Sequence, residues 1–425
     1  MKKTCLFFML IFMSFMSINF VHATEDETTI LSNPNPQYCQ TTNVDGVYKC
    51  TKSYFAFDTS ISFSVYVDER STFDIINVFD EVENIIKQYD MLLDPYEDHE
   101  GINNVYNINE TEGPIVIDQK LFDAIAYTLD NQDVNPEGDL LFNIALEPIL
   151  KIWHDARYSD DCIQGIFYDR CPIPSEDLLN QTYPTNPEDV ILDEDNLTID
   201  FQASGMGIDL GGAAKGYVSM IIEEHLSQYD FSYILNLGAS NVLVHGDNIS
   251  NPNANHYTIG LTKPTFESLN TSYYGAVKVE STYSVVSSGS YQRYFKSLLD
   301  EDNDTIYHHI IDPRTRMPGG DALAVTILTN DTGVSDILST AIYLMDYEDA
   351  LDYVNSQDNL EAVWYFAEDD IRMSENADQY IILYNQPEPN NPIFLIGGIA
   401  IVVMLGVFGG FYYRKRKQVQ DQETK

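Results

Sequence analysis

Basic residues are scarce in this chain. Only 23 Lys and Arg stand against 66 Asp and Glu, which leaves a formal net charge of −43. A protein with this charge repels phosphate backbones and anionic lipid surfaces, so a role in binding DNA or RNA is excluded. Because the same repulsion acts on a nucleotide ligand, such a ligand would need local compensation from a metal ion, a lysine or a helix N-terminus.

Cysteines are also few, and the chain has no Cys-x-x-Cys pair. Cys5 lies in an apolar N-terminal stretch, which leaves Cys39, Cys50, Cys162 and Cys171 for the rest of the protein. Outside the cell these four can form two disulfides, and 39–50 with 162–171 is the simplest of three connectivities. Zinc binding is the alternative interpretation, but no ligand spacing favours it.

Long apolar runs occur only near the two ends. Residues 1–23 have the order of a signal peptide: Lys2 and Lys3, an apolar stretch, then small residues ending at Ala23. An uncleaved anchor is the alternative there. The apolar run 393–413 is long enough to span a bilayer, and four basic residues follow it at 414–417. Since basic residues stay in the cytoplasm, we expect a cytoplasmic C-terminus and an extracytoplasmic body.

These patterns divide the chain into six segments. We predict a signal peptide (1–23), an acidic leader (24–45), one folded body (46–385), a Pro-rich linker (386–392), a transmembrane helix (393–413) and a basic cytoplasmic tail (414–425). The body is long enough to bury a large core of its own.

The most informative stretch of the body is rich in glycine and runs from 204 to 217, SGMGIDLGGAAKGY. Apolar residues at helical spacing follow it, so a glycine-rich turn is predicted to open a helix. Adjacent glycines let the backbone approach a ligand, and Lys215 adds a positive charge. Asp209 lies upstream, placed to meet a ribose, a base or a metal. This is no Walker motif, because Gly216 follows Lys215. A turn that merely packs tightly is the alternative.

Two later segments also carry chemistry. The segment 308–315, HHIIDPRT, contains His309, whose ring titrates near neutrality, although a core histidine is the structural alternative. Asp336, Ser339 and Thr340 stand at i, i+3 and i+4, so their oxygens share one helix face. Carboxylate and hydroxyl oxygens suit Mg²⁺, although a water-facing helix surface has the same composition.

Taken together, these motifs resemble those of the ApbE family, the FAD:protein FMN transferases. The segment DLGGAAKGY is close to the family signature, and HIIDPRT and SSGSYQR are similar to its later motifs. Matches run in the family's order from about residue 55 to 365. The resemblance implies an α+β fold with an ApbE-type mixed-sheet core and flanking helices, placed between the signal peptide and a single C-terminal transmembrane helix.

The resemblance also implies roles for individual residues. His309 would be the general base, with Asp312 orienting it. The residues expected to contact the flavin nucleotide are Phe57, Tyr96, Leu141, Phe142, Asn143, Asp209, Lys215 and Ile311. The expected Mg²⁺ ligands are Asp336, Thr340, Ser339 and a backbone oxygen of Gly212.

The implied activity is Mg²⁺-dependent transfer of FMN from FAD to a Thr or Ser hydroxyl of an extracytoplasmic acceptor protein, with release of AMP. The family's acceptor signature is absent from this chain, so the acceptor is expected to be another protein. Three residues depart from the family pattern: Asn143 and Ser290 replace Asp, and Arg316 replaces a turn Gly. Arg tolerates positive φ poorly, so we expect a shifted turn at Arg316.

Three other functions stay open at this point. An FAD pyrophosphatase would use the same metal and produce FMN and AMP, with water as the nucleophile. A non-catalytic flavin-binding surface protein is the second, because the departures fall in binding motifs. An adhesin or receptor ectodomain is the third, suggested by topology and acidity alone.

Overall fold

The computed structural model describes residues 37–384, except 69–70, 72–73, 133–139, 239, 252, 267–271 and 300–304. The predicted signal peptide, most of the acidic leader, the linker, the transmembrane helix and the basic tail lie outside the described residues. Within the described ranges, every helix is too short or too polar to cross a bilayer.

A nine-stranded sheet forms the centre of the body. Its strands in spatial order are β1 (Cys39–Thr41), β2 (Val47–Ala56), β3 (Thr59–Asp68), β8 (Ser232–Leu237), β9 (Asn241–His245), β12 (Tyr283–Gly289), β15 (Ala324–Thr329), β16 (Leu360–Ala367) and β17 (Asp370–Met373). All neighbouring pairs in it are antiparallel. The predicted α+β class is confirmed, but this central sheet, expected to be mixed, is antiparallel throughout.

Three small sheets of three strands each surround the large one. They consist of β10 (Tyr257–Thr262), β11 (Tyr273–Val279) and β18 (Ile381–Leu383); of β14 (Ile306–His308), β13 (Tyr294–Ser297) and β5 (Asp169–Cys171); and of β4 (Ile115–Val116), β7 (Thr198–Phe201) and β6 (Val190–Asp193). Among the described strands, the one parallel pairing joins β5 to β13. The chain between these two strands spans more than one hundred residues, which is ample for the crossover that parallel strands need.

Eight α-helices flank the sheets in the described part of the chain. They are α1 (Ile75–Leu92), α2 (Val105–Glu110), α3 (Gln119–Asn131), α4 (Glu147–Arg157), α5 (Glu176–Leu179), α6 (Ala214–Leu226), α7 (Ser335–Leu344) and α8 (Tyr347–Ser356), and a 3-10 turn, Ile144–Leu146, directly precedes α4. The predicted helix after the glycine-rich stretch is α6, and the predicted Asp-Ser-Thr helix is α7.

Periodicity explains how these elements pack. The long helix α1 buries seven residues at helical spacing, among them Val78, Val82 and Ile86, against the sheet. It begins at Asp74, whose side chain accepts a hydrogen bond from the Ile76 N–H. The largest core cluster thus lies between the helices α1, α3 and α6 and one part of the sheet.

Two disulfides close short loops, as the simplest pairing predicted. Cys39 is bonded to Cys50 between β1 and β2, and Cys162 to Cys171 just before β5 ends. The interpretation of these cysteines as zinc ligands is therefore excluded. Disulfides persist in oxidising compartments.

Candidate active site

The glycine-rich segment before α6 is held in place by groups from distant parts of the chain. The Asn109 side chain bonds both backbone groups of Ile208: its Nδ2 donates to the carbonyl at 2.9 Å, and its Oδ1 accepts from the N–H at 2.8 Å. The next N–H, of Asp209, donates to the carbonyl of Ile144 at 2.8 Å. These bonds satisfy the buried backbone without a partner strand, so the segment has one fixed path.

Carboxylates already occupy two N–H groups of this turn. The Gly211 N–H donates to Oδ1 of Asp209 at 2.6 Å, and the Gly216 N–H donates to Oδ2 of Asp336 at 2.9 Å. Helix α6 has no side-chain cap of its own, so Asp336 of α7 fills that place. The N–H groups of Gly211 and Gly216 are therefore not available to a phosphate, and the candidate phosphate contacts of this turn are Gly212 and Lys215.

Three of the four expected metal ligands come together between α6 and α7. The carboxylate of Asp336 is only 4% exposed and also accepts from Nδ2 of Asn241 at 2.9 Å. The ammonium of Lys215 lies 3.9 Å from its Oδ2. A Cβ placed on Gly212 would lie 3.6 Å from Oγ1 of Thr340, so this hydroxyl and the glycine backbone are neighbours.

The fourth expected ligand, Ser339, forms hydrogen bonds with other groups of the protein. Its hydroxyl lies 2.9 Å from Oγ of Ser288 on the central sheet and donates to the Asp336 carbonyl at 3.0 Å. The described residues contain no group of three or more His, Cys, Asp or Glu side chains arranged for a metal. A metal held here would therefore rely on one carboxylate together with hydroxyl and carbonyl oxygens.

Tyr96 stands beside this segment with one ring face covered. Its hydroxyl donates to Oδ2 of Asp209 at 3.2 Å, and its ring stacks on that of His154 at 3.8 Å with an angle of 9° between the planes. The Tyr96 side chain is nevertheless 40% exposed. Burial raises the pKa of Asp209, and burial and the Asp209 charge raise the pKa of Tyr96. The arrangement leaves ring surface on which a planar ligand can stack.

Glu147, at the start of α4, adds a second carboxyl group to this region. Its carboxyl group lies against Gly207, in the space that a Cβ at this position would occupy. Burial and the nearby charge of Asp209 raise the pKa of Glu147 to about 7. Glu147 and Asp209 together therefore carry less negative charge near neutral pH than two carboxylates with ordinary pKa values would.

The two histidines of the HHIIDPRT segment have opposite environments. His308 ends β14 with its side chain buried, whereas His309 directly follows the strand and is exposed. The core-histidine alternative thus applies to His308 and not to His309. The crowded recess, together with the positive charges of Arg293 and Arg157, lowers the pKa of His309 well below its usual value. A ring with such a pKa is neutral at pH 7 and can accept a proton.

Asp312 does not orient His309 in this structure. Its carboxylate forms a two-pronged ion pair with Arg314, with Nη2 of the arginine 2.9 Å from Oδ2 and Nε 3.1 Å from Oδ1. It also accepts from the backbone N–H of Arg314 at 2.8 Å. No hydrogen bond between Asp312 and His309 occurs in the described part of the chain. Asp312 instead stabilises the turn after the histidine, because Arg314 goes on to bond the carbonyl of Leu344.

The turn at Arg316 keeps its closed form despite the missing glycine. Arg316 adopts a positive φ of 60°, and its N–H donates to the carbonyl of Asp312 at 2.7 Å. Its own carbonyl accepts from the indole of Trp153 at 2.9 Å, and its guanidinium donates to the carbonyls of Leu179 and Gln181. These bonds hold the turn in one conformation and offset the strain of its left-handed backbone.

The remaining residues expected to contact the flavin nucleotide surround the same region: Phe57, Leu141, Phe142, Asn143 and Ile311. Phe57 begins the two-residue β2–β3 turn, and its carbonyl accepts from Nη2 of Arg293 at 3.3 Å. Phe142 lies directly under Gly212. Asn143 caps the 3-10 turn before α4 by accepting from the Ala145 N–H. The side chains of Leu141 and Ile311 are buried in core clusters, so only their backbone groups are placed to meet a ligand.

Several residues of the site were missed by the sequence analysis. Glu147, His154 and Arg157 all come from one face of α4, Arg293 precedes β13, and Asn241 begins β9. The seven-residue spacing of Glu147 and His154 was a usable signal, since residues seven apart share a helix face. Arg293 ends the SSGSYQR motif, which was a second signal, whereas Asn241 reaches the site only through the tertiary fold.

Comparison with known proteins adds to this geometry. The sequence profile of the ApbE family matches residues 57–364. The chain is 27% identical over 308 residues to the FAD:protein FMN transferase of Klebsiella pneumoniae (strain 342), covering 71% of this chain and 88% of that protein. It is 24% identical over 319 residues to the FAD:protein FMN transferase of Treponema pallidum (strain Nichols), covering 72% and 82%.

Solved structures share the fold. The ApbE protein of Thermotoga maritima superposes with a TM-score of 0.64 at 20% identity, covering 78% of this chain and 99% of that one. The flavin transferase ApbE of Vibrio cholerae superposes with a TM-score of 0.60 at 15% identity, covering 79% and 99%.

Proposed function

The chain belongs to the ApbE family, and from that premise we propose that it is an FAD:protein FMN transferase that works outside the cytoplasm and requires Mg²⁺. The observation that carries the proposal is the position of His309. This exposed histidine stands where Arg293, Arg157 and Lys215 all act on its charge, close to the fixed glycine-rich turn. A proton acceptor thus lies beside a set of cations in a chain of net charge −43.

The reaction follows from these two features. The hydroxyl oxygen of an acceptor Thr or Ser attacks the phosphorus on the FMN side of the FAD pyrophosphate. The bond from that phosphorus to the bridging oxygen breaks, and AMP leaves with this oxygen. The proton of the hydroxyl passes to His309, which is neutral at pH 7. His309 later releases the proton to water.

The cations explain how an acidic protein can bind an anionic ligand such as FAD. Nε of Arg157 is buried and has no hydrogen-bond partner among the described residues. A buried donor without a partner is costly, so an anionic ligand at this place would gain from it. FAD phosphates would also offset the positive charges that lower the pKa of His309, and would make the histidine a stronger base when the substrate is bound.

The oxygens between α6 and α7 fit Mg²⁺. Each carboxylate oxygen of Asp336 accepts one hydrogen bond and keeps one lone pair, and Thr340 and Gly212 lie adjacent. Mg²⁺ bound there would neutralise pyrophosphate charge and the charge that develops on the leaving AMP. Lys215, 3.9 Å from Asp336, would keep part of this positive charge at the site.

The location of the enzyme is part of the proposal. An N-terminal signal peptide and the apolar run 393–413 followed by four basic residues favour a body anchored outside the cytoplasmic membrane. The two disulfides support a location of the body in an oxidising compartment. Protease added to intact cells should remove the body but leave the basic C-terminal tail protected. Protection of the whole chain would contradict this topology.

The activity is tested with the full-length chain in detergent. It is mixed with FAD, Mg²⁺ and a protein that carries the family's acceptor signature, and covalent flavin is followed by in-gel fluorescence and by mass. We expect an adduct that His309→Ala and Asp336→Asn reduce at least a hundredfold. In the Asp336→Asn variant, the amide oxygen can still accept the hydrogen bond from the Gly216 N–H. Its melting temperature, compared with that of the wild type, shows whether the variant is still folded.

Other outcomes of this experiment separate the competing functions. AMP release without an adduct would favour the FAD pyrophosphatase, because water would then be the nucleophile. FAD that binds and stays intact would identify a flavin-binding surface protein. Absence of FAD binding would contradict the proposal altogether.

A further inference from the structure

A short hairpin closed by a disulfide follows α4 and covers residues 162–171. Ile163 and Arg170 exchange both of their backbone hydrogen bonds, at 2.7 and 2.9 Å. At the turn, Gly165 lies so close to the carbonyl oxygen of Tyr168 that a Cβ would not fit. Its N–H donates to Oδ1 of Asp169 at 3.1 Å. The hairpin therefore has one defined conformation although it lies at the surface.

The base of the hairpin is attached to the small sheet. Nη1 of Arg170 donates to the carbonyl of Ser297 at 3.0 Å, and the ammonium of Lys296 lies 4.5 Å from the centre of the Tyr168 ring. Backbone pairing of β5 with β13 adds further bonds. A surface element held in this way loses little conformational entropy when a partner binds to it.

The turn of the hairpin exposes two large apolar side chains, which we call the apolar tip: Ile166 is 86% exposed and Phe167 is 46% exposed. Ile163, at the base of the hairpin, is 62% exposed. Scattered apolar residues are normal at a surface, but two neighbouring ones on a rigid turn are typical of a binding site. The fold gains nothing from leaving them in water, since each of them would be more stable buried.

The register of the small sheet places the apolar tip beside His309. In the parallel pair, Asp169 is opposite Phe295, and in the antiparallel pair, Tyr294 is opposite His308. The Tyr168 ring lies 6.1 Å from that of Tyr294, so Tyr168 and His308 flank Tyr294 on its two sides. Neighbouring strands are about 4.8 Å apart, so the backbone of Tyr168 lies about 10 Å from that of His308. The apolar tip and His309 are the next residues of the chain at this end of the sheet.

We propose that the apolar tip is the docking surface for the acceptor polypeptide, and this inference rests on the proposed transferase function. The acceptor hydroxyl must reach His309, so the protein that carries it must also cover the surface next to that histidine. The tip binds apolar side chains that flank the reactive Thr or Ser. It thereby adds binding energy for the protein substrate without contacting FAD.

The charge of the chain favours a protein over a membrane as the occupant of the tip. Beside the hairpin, the carboxylates of Asp161 and Asp169 are offset by Arg170 and Lys296. The net charge of −43 of the whole chain repels anionic lipid headgroups. An acceptor segment with apolar residues and neutral or basic flanks meets no such repulsion.

The test changes the tip in the full-length chain. The variant is Ile166→Ser with Phe167→Ser, and the matched control is Ile191→Ser with Ile382→Ser, two exposed apolar residues on other sheets. Flavin transfer is measured at varied acceptor concentration with FAD saturating, and FAD affinity is measured separately by flavin fluorescence. We expect the KM for the acceptor to rise about tenfold or more in the tip variant, with kcat and FAD affinity unchanged. The control should match the wild type.

Each other outcome overturns the inference in a distinguishable way. An unchanged acceptor KM in the tip variant, with wild-type transfer intact, contradicts docking while the transferase function stands. If the acceptor KM is unchanged and the tip variant loses binding to phosphatidylcholine vesicles, the tip is a membrane contact. If only the sedimentation coefficient changes, the tip joins two copies of this chain. Absence of transfer by the wild type overturns both proposals together.

Discussion

His309 has three cationic neighbours that act on its charge, and this decides at which pH its ring is protonated. Protein atoms crowded around the ring disfavour the imidazolium, and the positive charges of Arg293, Arg157 and Lys215 do so as well. The residue is therefore neutral over a wider pH range than a free histidine. The protonation of His309 therefore depends on charges that other elements of the fold contribute.

A pH profile tests this electrostatic description. For a general base, activity falls as the pH drops through its pKa, so kcat/KM for FAD should stay constant to well below pH 6.5 in the free enzyme. Bound phosphates offset the neighbouring cations, so kcat should begin to fall at a higher pH than kcat/KM. Removal of one cation by Arg293→Gln should move the fall of kcat/KM to higher pH. Identical profiles for kcat, kcat/KM and the variant would contradict the assignment.

Glu147 leads to a prediction about stability. Its pKa of about 7 in the folded protein lies above the ordinary value of 4.5. The folded state therefore holds the proton more tightly, so stability from this group is present below pH 4.5 and is lost as the pH rises towards 7. Glu147→Gln, which stays neutral, should stabilise the ligand-free protein at pH 8 by about 1 kcal/mol, allowing for its partial exposure.

Thermal unfolding at pH 5 and pH 8 measures this effect. The melting temperature of Glu147→Gln should exceed that of the wild type more at pH 8 than at pH 5. Glu188→Gln, at an exposed glutamate, serves as the control. An equal difference at both pH values would show that the Glu147 carboxyl is not perturbed by folding.

Among the elements, the contact of α6 with α7 matters most for the site. Gly216 in the first turn of α6 lies against α7, and its N–H is bonded by Asp336. A Cβ at this position would lie 3.0 Å from the carbonyl oxygen of Gly333 and 3.1 Å from the Asp336 N–H nitrogen. The glycine thus allows the close approach that brings Asp336 and Thr340 next to the glycine-rich turn.

Gly216→Ala tests this close approach, and two effects of opposite sign make the result decisive. Alanine favours a helix over glycine by about 1 kcal/mol, so a loosely packed site would gain stability. Overpacking against a backbone typically costs about 1–3 kcal/mol. We expect a lower free energy of unfolding in urea. We also expect that transfer requires a higher Mg²⁺ concentration, because the proposed ligands are displaced. A stabilised variant with normal activity would show that the two helices do not need this spacing.

Across the whole molecule, charge opposes the substrate. The net charge of −43 repels FAD at long range, whereas Lys215, Arg157 and Arg293 attract it only within the site. The Debye length falls from about 30 Å at 0.01 M salt to about 8 Å at 0.15 M, so salt screens the distant repulsion first. We predict that the association rate of FAD rises several-fold over this range, at constant free Mg²⁺, in stopped-flow fluorescence.

The sign of the salt effect distinguishes two descriptions of the encounter. A rate that falls with salt would mean that the local cations steer FAD from a distance, against the charge of the whole chain. Neutral riboflavin is the control, because its association should not depend on salt. The same repulsion explains why an acidic surface needs an internal cluster of cations for this ligand.

The sequence alone determined which segments carry the chemistry. Local patterns predicted α6, α7 and both disulfides, because periodicity and short loops are properties of neighbouring residues. Family motifs placed Asp209, Gly212, Asp336 and His309 in one expected site. The structure brings these elements to one region of the fold, although the metal and the substrate stay predictions.

Only the tertiary structure decided which of these groups meet. It assigned Asp312 to Arg314 and Ser339 to Ser288, and it brought His154, Arg157 and Arg293 to the site from segments far apart in sequence. It also brought β5, which follows the apolar tip, into one small sheet with the strand that ends at His308. Hydrogen bonds and charges act through space, so partners such as Ser288 and Ser339, or Arg157 and His309, leave no periodic trace in the sequence.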